Sequence, residues 1–275
     1  MGSKKKQLLL VLGALVLFVL LFIAPKLAPK NSEKTGLDQN SEKAKVSTDG
    51  NLSVYLNLAT KNVSLDQKGN IDKLLAEKNY DSLAFTWTKL KRPDLAAHYA
   101  EELAKVKNTS DTWFNAGNRY YYSVQFIQDK SEVPVLYQCA MRCYNNGLKL
   151  DPKNTDAKIM LASCYVEGTQ NPMEGVSRLK EIEKTDSNNV KLQLTFAFFS
   201  VKSQQLDKAI NRFKKILQID STYIEAYLHL ADAYEQRGET ENTILVLEKY
   251  SSKTNDVTAQ IEINKYIKQL KENKH

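Results

Sequence analysis

The sequence predicts an all-α protein built from a repeated pair of helices. Glycine and proline, which interrupt helices, account for only 10 and 6 of the 275 residues. Apolar and small residues recur at spacings of three and one, as in the series Tyr227, Leu230, Ala231 and Tyr234. A similar series stands about 34 residues earlier, around Ala197. A period of this length is typical of an α-solenoid, in which stacked helix pairs share one continuous core.

The N-terminal residues predict a membrane anchor. Leu8–Ala24 is an unbroken apolar run that follows a basic tail at 1–6. Such a run spans about 25 Å as a helix, near the lower limit for crossing a bilayer, and Lys6 and Lys26 can extend it by snorkelling. The alternative is a cleaved signal peptide, but the run is longer than an h-region and no small-x-small cleavage site follows it. We therefore expect an uncleaved transmembrane helix at 7–24.

The orientation of this anchor follows from lysines near its two ends. They are Lys4, Lys5 and Lys6 before the span and Lys26, Lys30 and Lys34 after it. The margin is slim, but the very short basic tail favours a cytoplasmic N-terminus under the positive-inside rule. The rest of the chain would then lie outside the cytoplasm.

A polar segment separates the anchor from the repeats. Residues 25–50 are rich in Ser, Lys, Asn and Gly and predict a flexible linker, and 51–76 predicts a helical lead-in. The net charge of +7 is concentrated at the N-terminus, because residues 1–30 carry five lysines and no acid, which leaves 34 bases against 32 acids elsewhere. Such a balanced body has little electrostatic attraction to polyanions, so no nucleic-acid partner is expected.

Five repeat units and a closing helix follow. Their predicted bounds are 77–109, 110–153, 154–188, 190–223 and 224–255, with the closing helix at 256–272. The second unit contains Trp113, Ala116, Gly117 and Tyr120, and its helices are separated by an insert at 123–133. This pattern resembles the tetratricopeptide repeat (TPR), whose consensus is Trp, Leu-Gly, Tyr, Ala, Phe, Ala and Pro. The resemblance implies a TPR α-solenoid of about five helix pairs plus a C-terminal capping helix, and the apolar run at 7–24 adds one preceding transmembrane helix.

The resemblance also implies a concave groove, lined by the first helix of each pair, that holds a peptide or a helix. Carried over by register, the groove residues are Phe114, Asn115, Asn118, Tyr121, Tyr122, Ile159, Met160, Ser163, Leu194 and Phe198. Aromatic rings beside amides suit an apolar segment whose backbone groups need partners. The alternative is that this face packs against the protein's own insert or lead-in helix. Acidic or apolar residues (Asp81, Asp156 and Met160) stand where a carboxylate clamp would need bases, so a co-chaperone role is not expected.

Catalytic and metal-binding patterns are weak in this sequence. Cys139, Cys143 and Cys164 are too few for a disulfide framework, and a CxxxC spacing without further ligands does not make a zinc site, so we expect buried thiols. The sequence contains no HExxH motif, glycine-rich phosphate loop or paired-carboxylate motif. We expect no enzyme activity, no cofactor and no metal.

Together these features favour a membrane-anchored scaffold or adaptor that binds a protein or peptide segment in its groove. Resemblance to TPR proteins of envelope biogenesis makes bacterial envelope assembly the leading hypothesis, with an inner-membrane anchor and a periplasmic repeat domain. Two alternatives remain open at this point. The chain could be a cytosol-facing receptor on an organelle membrane, or a non-catalytic subunit of a membrane enzyme complex.

Overall fold

The computed structural model describes residues 63–127 and 130–272. Within these ranges the chain forms twelve α-helices and two short 3-10 helices, at Val124–Phe126 and Lys130–Glu132. The α-helices are α1 (Leu65–Ala76), α2 (Tyr80–Lys89), α3 (Pro93–Lys107), α4 (Ser110–Ser123), α5 (Val133–Leu150), α6 (Thr155–Gly168), α7 (Pro172–Thr185), α8 (Val190–Lys202), α9 (Leu206–Ile219), α10 (Glu225–Gln236), α11 (Thr240–Lys253) and α12 (Val257–Glu272).

Helices α2 to α11 form five consecutive pairs, and each helix packs mainly against the helices next to it in sequence. We call α2, α4, α6, α8 and α10 the first helices, and α3, α5, α7, α9 and α11 the second helices. Contacts between neighbours alone are the mark of a solenoid. The predicted all-α, TPR-like solenoid is confirmed for the described residues.

The predicted transmembrane helix at 7–24 and linker at 25–50 lie outside the described residues. The lead-in predicted at 51–76 is described from residue 63 onward and contains α1. None of the described helices has both the length and the apolar character that crossing a bilayer requires.

Helix starts follow two local rules that the sequence carries. Four of the first helices begin after a side chain that accepts a hydrogen bond from the first turn, and these capping residues are Asn79, Thr109, Asn154 and Asn189. Three second helices carry proline in their first two positions, namely Pro93, Pro134 and Pro172. Proline fits there because the N–H groups of a first turn have no partner within the helix. Side-chain caps therefore mark the start of most first helices, and proline marks the start of three second helices.

Small residues set the spacing between packed helices. A Cβ atom added at Gly117 would lie 2.6 Å from the ring of Tyr144, and one added at Gly175 would lie 2.3 Å from the carbonyl oxygen of Ala162. Both distances are far below van der Waals contact, so α4 approaches α5, and α7 approaches α6, only because these side chains are absent.

The core consists of two large clusters and two smaller ones. The N-terminal core contains buried residues between Ala97 and Cys164, and the C-terminal core contains buried residues between Ala197 and Ile267. Smaller clusters lie around Trp87 and around Leu179. Helix α12 closes the array by burying Ile267 against the C-terminal core.

A buried carboxylate at the N-terminal core is paired with an arginine whose side chain is 43% exposed. The carboxylate of Glu101, only 2% exposed, accepts hydrogen bonds from Arg142 at 2.8 and 2.9 Å and from the Tyr120 hydroxyl at 2.8 Å. Burial acts to raise the pKa of Glu101, but the hydrogen bonds and positive charge of Arg142, with the Tyr120 bond, outweigh it and leave that pKa below its ordinary value. Helices α3, α4 and α5 are therefore joined by a charged group as well as by apolar packing.

Candidate binding groove

The first helices present one shared surface, which we call the first-helix face. Side-chain contacts join them in series: Arg119 of α4 bonds Thr88 of α2, and Lys191 of α8 pairs with Asp156 of α6 at 2.9 Å. The Lys191 ammonium also lies 5.1 Å from the ring centroid of Phe114 on α4. A side chain of α8 can reach past α6 to α4 only if the surface curves inward. The first-helix face is therefore concave over α4, α6 and α8.

In the middle of this face, polar side chains are bonded to one another. Glu167 of α6 accepts hydrogen bonds from Tyr121 at 2.5 Å, from Lys202 at 3.0 Å and from Tyr137 at 3.3 Å. Burial and the Glu167 carboxylate together raise the pKa of Tyr121, so its hydroxyl stays a donor. With the Lys191–Asp156 pair, these contacts satisfy the charges of the central first-helix face.

Three predicted groove residues lie in the core instead. Ile159 is 0%, Ser163 2% and Met160 4% exposed. Ile159 belongs to the cluster around Leu179, and Met160 to the N-terminal core. The register that exposes Asn115 on α4 leaves the matching positions of α6 covered, because the α6 side chains pack into these two clusters. The structure does not bring these three side chains to the surface of the groove.

Four more predicted residues are partly buried. Phe114 and Tyr121 pack against the N-terminal core, and Leu194 packs against the C-terminal core. Asn118 is partly buried and accepts a hydrogen bond from the Tyr144 hydroxyl at 2.9 Å. These side chains form the floor of the first-helix face.

Aromatic rings are exposed toward the two ends of the face. Tyr122 is 50% and Phe198 44% exposed, and both were predicted. Phe85, at 60%, and Phe126, at 68%, were missed. Phe85 could have been found from sequence, since it follows Ala84 as Phe198 follows Ala197 in the repeat register. Phe126 could not, because it lies in the insert between α4 and α5, outside the repeat pattern.

A pocket of about 220 Å³ opens beside these N-terminal rings. Its lining includes Asn115, Asn118, Arg119, Tyr122 and Phe126. Arg119 donates a hydrogen bond to Asn115 at 3.0 Å and its further bond, to Thr88, is long at 3.4 Å. The insert packs Ile127 into the N-terminal core and leaves Phe126 exposed at the pocket.

At the other end, a histidine packs between aromatic rings. His229 of α10 stacks on Phe213 at 5.5 Å between ring centroids and meets the edge of Phe198 at 4.9 Å. Burial lowers the pKa of His229, and the carboxylates of Asp232 and Glu225 oppose that shift. His229 therefore favours its neutral form and acts as part of an aromatic cluster.

The three cysteines lie in the core of the protein. Cys139, Cys143 and Cys164 are buried free thiols, as the sequence predicted. Burial raises the pKa of all three, which opposes formation of the reactive thiolate. No grouping of three or more potential metal-ligating side chains occurs in the part of the chain that the structure describes.

The sequence of this chain matches the family model of one repeat, the TPR. The model of the TPR repeat matches residues 201–238, which span the end of α8, all of α9 and all of α10. No curated protein gives a significant match.

Similar solved structures include YrrB, a TPR protein with an unusual peptide-binding site, which is 17% identical over 71% of this chain and 97% of YrrB, with a TM-score of 0.40. TTC0263, a thermophilic TPR protein of Thermus thermophilus, is 18% identical over 69% of this chain and 97% of its own, with a TM-score of 0.46. MamA from Desulfovibrio magneticus RS-1, from its residue 41 to the end, is 18% identical over 64% of this chain and 93% of its own, with a TM-score of 0.42.

Likeness at these identities and TM-scores transfers no partner or activity to this chain. The match to the TPR model and the observed helix pairs both indicate a repeat at 201–238, independently of these solved structures. The chain therefore carries a tetratricopeptide repeat at 201–238 within an all-helical, TPR-like solenoid.

Proposed function

We propose that this protein is a scaffold or adaptor that binds a protein or peptide segment on the concave first-helix face. The observation that carries the proposal is where the exposed aromatic rings lie. Among the described residues, every exposed large aromatic side chain lies on a first helix or directly after one: Phe85, Tyr122, Phe126 and Phe198. The exposed large apolar side chains of the described second helices include no aromatic ring.

Aromatic side chains are suited to recognition for a physical reason. They offer a large apolar area with few rotatable bonds, so burying one against a partner loses little conformational entropy. The exposed rings of the first helices are therefore suited to bind an apolar side chain of a partner. The closed middle of the face, held by Glu167 and Lys191, would form a rigid floor between the two aromatic ends.

The proposal extends to the protein's location. The apolar run Leu8–Ala24 and the basic tail before it support a single-pass anchor with the repeats outside the cytoplasm, in the inner membrane of a bacterium. Such a protein would serve envelope assembly without catalysing a reaction. A C-terminal reporter enzyme active only outside the cytoplasm tests this part. Activity of the reporter is expected, and an inactive reporter would favour the cytosol-facing receptor.

Crosslinking and capture from native membranes tests the groove. The variant Phe85→Ala/Tyr122→Ala/Phe198→Ala removes three exposed rings, whereas Phe114 and Tyr121 are left intact because they pack against the core. We expect capture of a specific partner to fall at least about tenfold, since aromatic anchors dominate interface energies. The control is Val106→Ala/Leu150→Ala/Leu245→Ala, which truncates exposed aliphatic residues of second helices.

The control should capture as much partner as the wild type, and both variants should melt near the wild-type temperature because all six side chains are exposed. Unchanged capture by the aromatic variant, or an equal loss in the control, would show that partners bind elsewhere.

A further inference from the structure

The pocket at the N-terminal end of the first-helix face and helix α10 at its other end carry opposite charges that have no ion pair among the described residues. In the middle of the face each cation has an anion: Lys191 pairs with Asp156, and Lys202 with Glu167. The ends differ from this pattern. Because unpaired charges on a concave aromatic surface are available to a partner, their arrangement says what a bound segment would look like.

The pocket at the N-terminal end is basic, because Arg119 is the charged residue of its lining, and the exposed carboxylates of Asp81 on α2 and Asp111 on α4 lie outside that lining. Arg119 hydrogen-bonds only the neutral oxygens of Asn115 and Thr88, and the Lys89 ammonium lies 4.5 Å from the centroid of the Phe85 ring. Neither cation forms an ion pair with any carboxylate of the described residues. A guanidinium has five N–H donors, so these two bonds leave donors of Arg119 free for a carboxylate beside the pocket.

The C-terminal end is acidic. Glu225 and Asp232 lie on α10 on either side of His229, and only the amide of Gln236 donates a side-chain hydrogen bond to Asp232, at 2.8 Å. In the described ranges, no lysine or arginine lies within ion-pair distance of Glu225 or Asp232. Phe198, exposed on the neighbouring α8, supplies the apolar contact at this end.

We propose that the partner is a charge-polarised peptide segment. Its acidic end, with an adjoining aromatic or large aliphatic residue, binds Arg119 and Lys89 and fills the pocket beside Tyr122 and Phe126. Its basic end binds Glu225 and Asp232 near Phe198. This inference rests on the proposed function, and it adds the chemistry of the ligand and its direction along the face.

Two synthetic probe peptides test the two ends separately, with the full chain in detergent. The acidic probe carries Glu-Glu-Phe-Leu and the basic probe carries Lys-Lys-Phe-Leu, each with the same uncharged flanks and a fluorescent label. Arg119→Gln should weaken the acidic probe about tenfold and leave the basic probe unchanged, because it removes a charge-assisted hydrogen bond. Glu225→Gln/Asp232→Asn should do the reverse.

The matched control is Arg178→Gln, on the second helix α7, where Arg178 pairs with Glu174. It removes the same charge and should change neither affinity. Crosslinking through a photoreactive phenylalanine in each probe should label Tyr122 or Phe126 with the acidic probe and the Phe198 region with the basic probe.

Three results would overturn the inference: Arg119→Gln and the acidic-end variant affecting both probes equally, neither variant affecting either probe, or no binding of either probe by the wild type. If partner capture from membranes still depends on Phe85, Tyr122 and Phe198 in any of these cases, the groove function stands and the charge polarity alone is wrong. If that capture is also independent of the three rings, both proposals fail.

Discussion

The N-terminal and C-terminal cores occupy equivalent places in the solenoid but use different chemistry. The N-terminal core holds the buried carboxylate of Glu101, which pairs with the partly exposed Arg142. The buried tyrosines of this core all have polar partners: Tyr120 bonds Glu101, Tyr137 bonds Glu167 and Tyr144 bonds Asn118. The buried polar residues of the C-terminal half are neutral: Gln193 accepts a hydrogen bond from Arg212 at 2.7 Å, and Thr243 and Ser251 bond a backbone carbonyl and Asn264.

The difference teaches how far each half depends on specific partners. Apolar packing is not directional, so a substitution in the C-terminal core should cost stability in proportion to the side-chain volume that it removes. A buried carboxylate requires its donors, and losing one leaves a charge without compensation. The family match at 201–238 lies within the C-terminal half. The two halves therefore differ in one respect: the N-terminal core holds a buried carboxylate, whereas the buried polar residues of the C-terminal half are neutral.

The largest effect is expected from Phe213→Ala in the C-terminal core. The Phe213 side chain is 1% exposed, and its loss should cost about 3–5 kcal/mol through lost burial and the cavity left behind. Because the helix pairs pack mainly against their neighbours in sequence, hydrogen exchange should accelerate most in α8 to α11 and least in α3 to α5. Leu245→Ala, at a side chain 51% exposed, is the control and should change stability by less than about 0.5 kcal/mol. Uniform acceleration across all helices would contradict the separation of the two cores.

Arg142→Met should destabilise the N-terminal core by about 2–4 kcal/mol at neutral pH, because it leaves the buried Glu101 carboxylate without its cation. The folded-state pKa of Glu101 lies below its ordinary value of 4.5. The pair therefore contributes fully above that ordinary value, and its contribution is lost as the pH falls through the folded-state pKa.

Urea unfolding at several pH values measures this difference between Arg142→Met and the wild type, and we expect it to shrink in acid. Arg178→Met, which breaks the exposed pair with Glu174, should cost less than about 1 kcal/mol at every pH. An equally large loss at neutral pH in that control would mean that the buried location of Glu101 is not the cause.

Gly117→Ala should cost about 1–3 kcal/mol, since the new methyl group would meet the fully buried ring of Tyr144 at 2.6 Å. Gly69→Ala is the matched control on α1, where nothing lies within 4 Å of the added atom. It should be neutral or stabilise by up to about 1 kcal/mol, because alanine favours helix. Thermal unfolding followed by circular dichroism compares the two. Equal melting temperatures would show that α4 and α5 can separate without penalty.

The smallest effect concerns the histidine of the C-terminal core cluster. Burial holds the folded-state pKa of His229 below its ordinary value of 6.5. The unfolded chain therefore binds the proton more readily, and stability should decrease slightly as the pH falls through 6.5 toward the folded-state pKa. His229→Phe should remove this part of the pH dependence, measured as hydrogen exchange in α10 between about pH 7.5 and 5.5. A pH response of α10 that persists in His229→Phe would assign it to other groups.

The solenoid could be predicted from sequence because its signals are local and repeated. The stripe around Ala231 and its counterpart at Ala197 place small and large residues on one helix face, and Gly117 and Tyr144 show why small residues are needed there. Capping residues such as Asn154 and prolines such as Pro172 mark helix starts through hydrogen bonds within a few residues. Periodicity and caps depend on near neighbours alone, so no tertiary information was required.

The candidate groove could be predicted only in part. Register predicted Asn115, Tyr122 and Phe198 as groove residues, and all three are exposed. The same register placed Ile159 and Ser163 in the groove, although both are buried. Helical period fixes the direction in which a side chain points, but its exposure depends on how closely the neighbouring helices approach.

The sequence by itself determined the helix pairs, their order and the face on which aromatic rings collect, because each depends on spacing within one or two helices. Tertiary structure alone decided which charges are paired. Tyr121 meets Glu167 across 46 positions, and Arg142 meets Glu101 across 41. Such partners are chosen by the curvature and packing of successive pairs, which no single helix contains. The same packing decided that Arg119 keeps neutral partners and that the ends of the first-helix face stay charged.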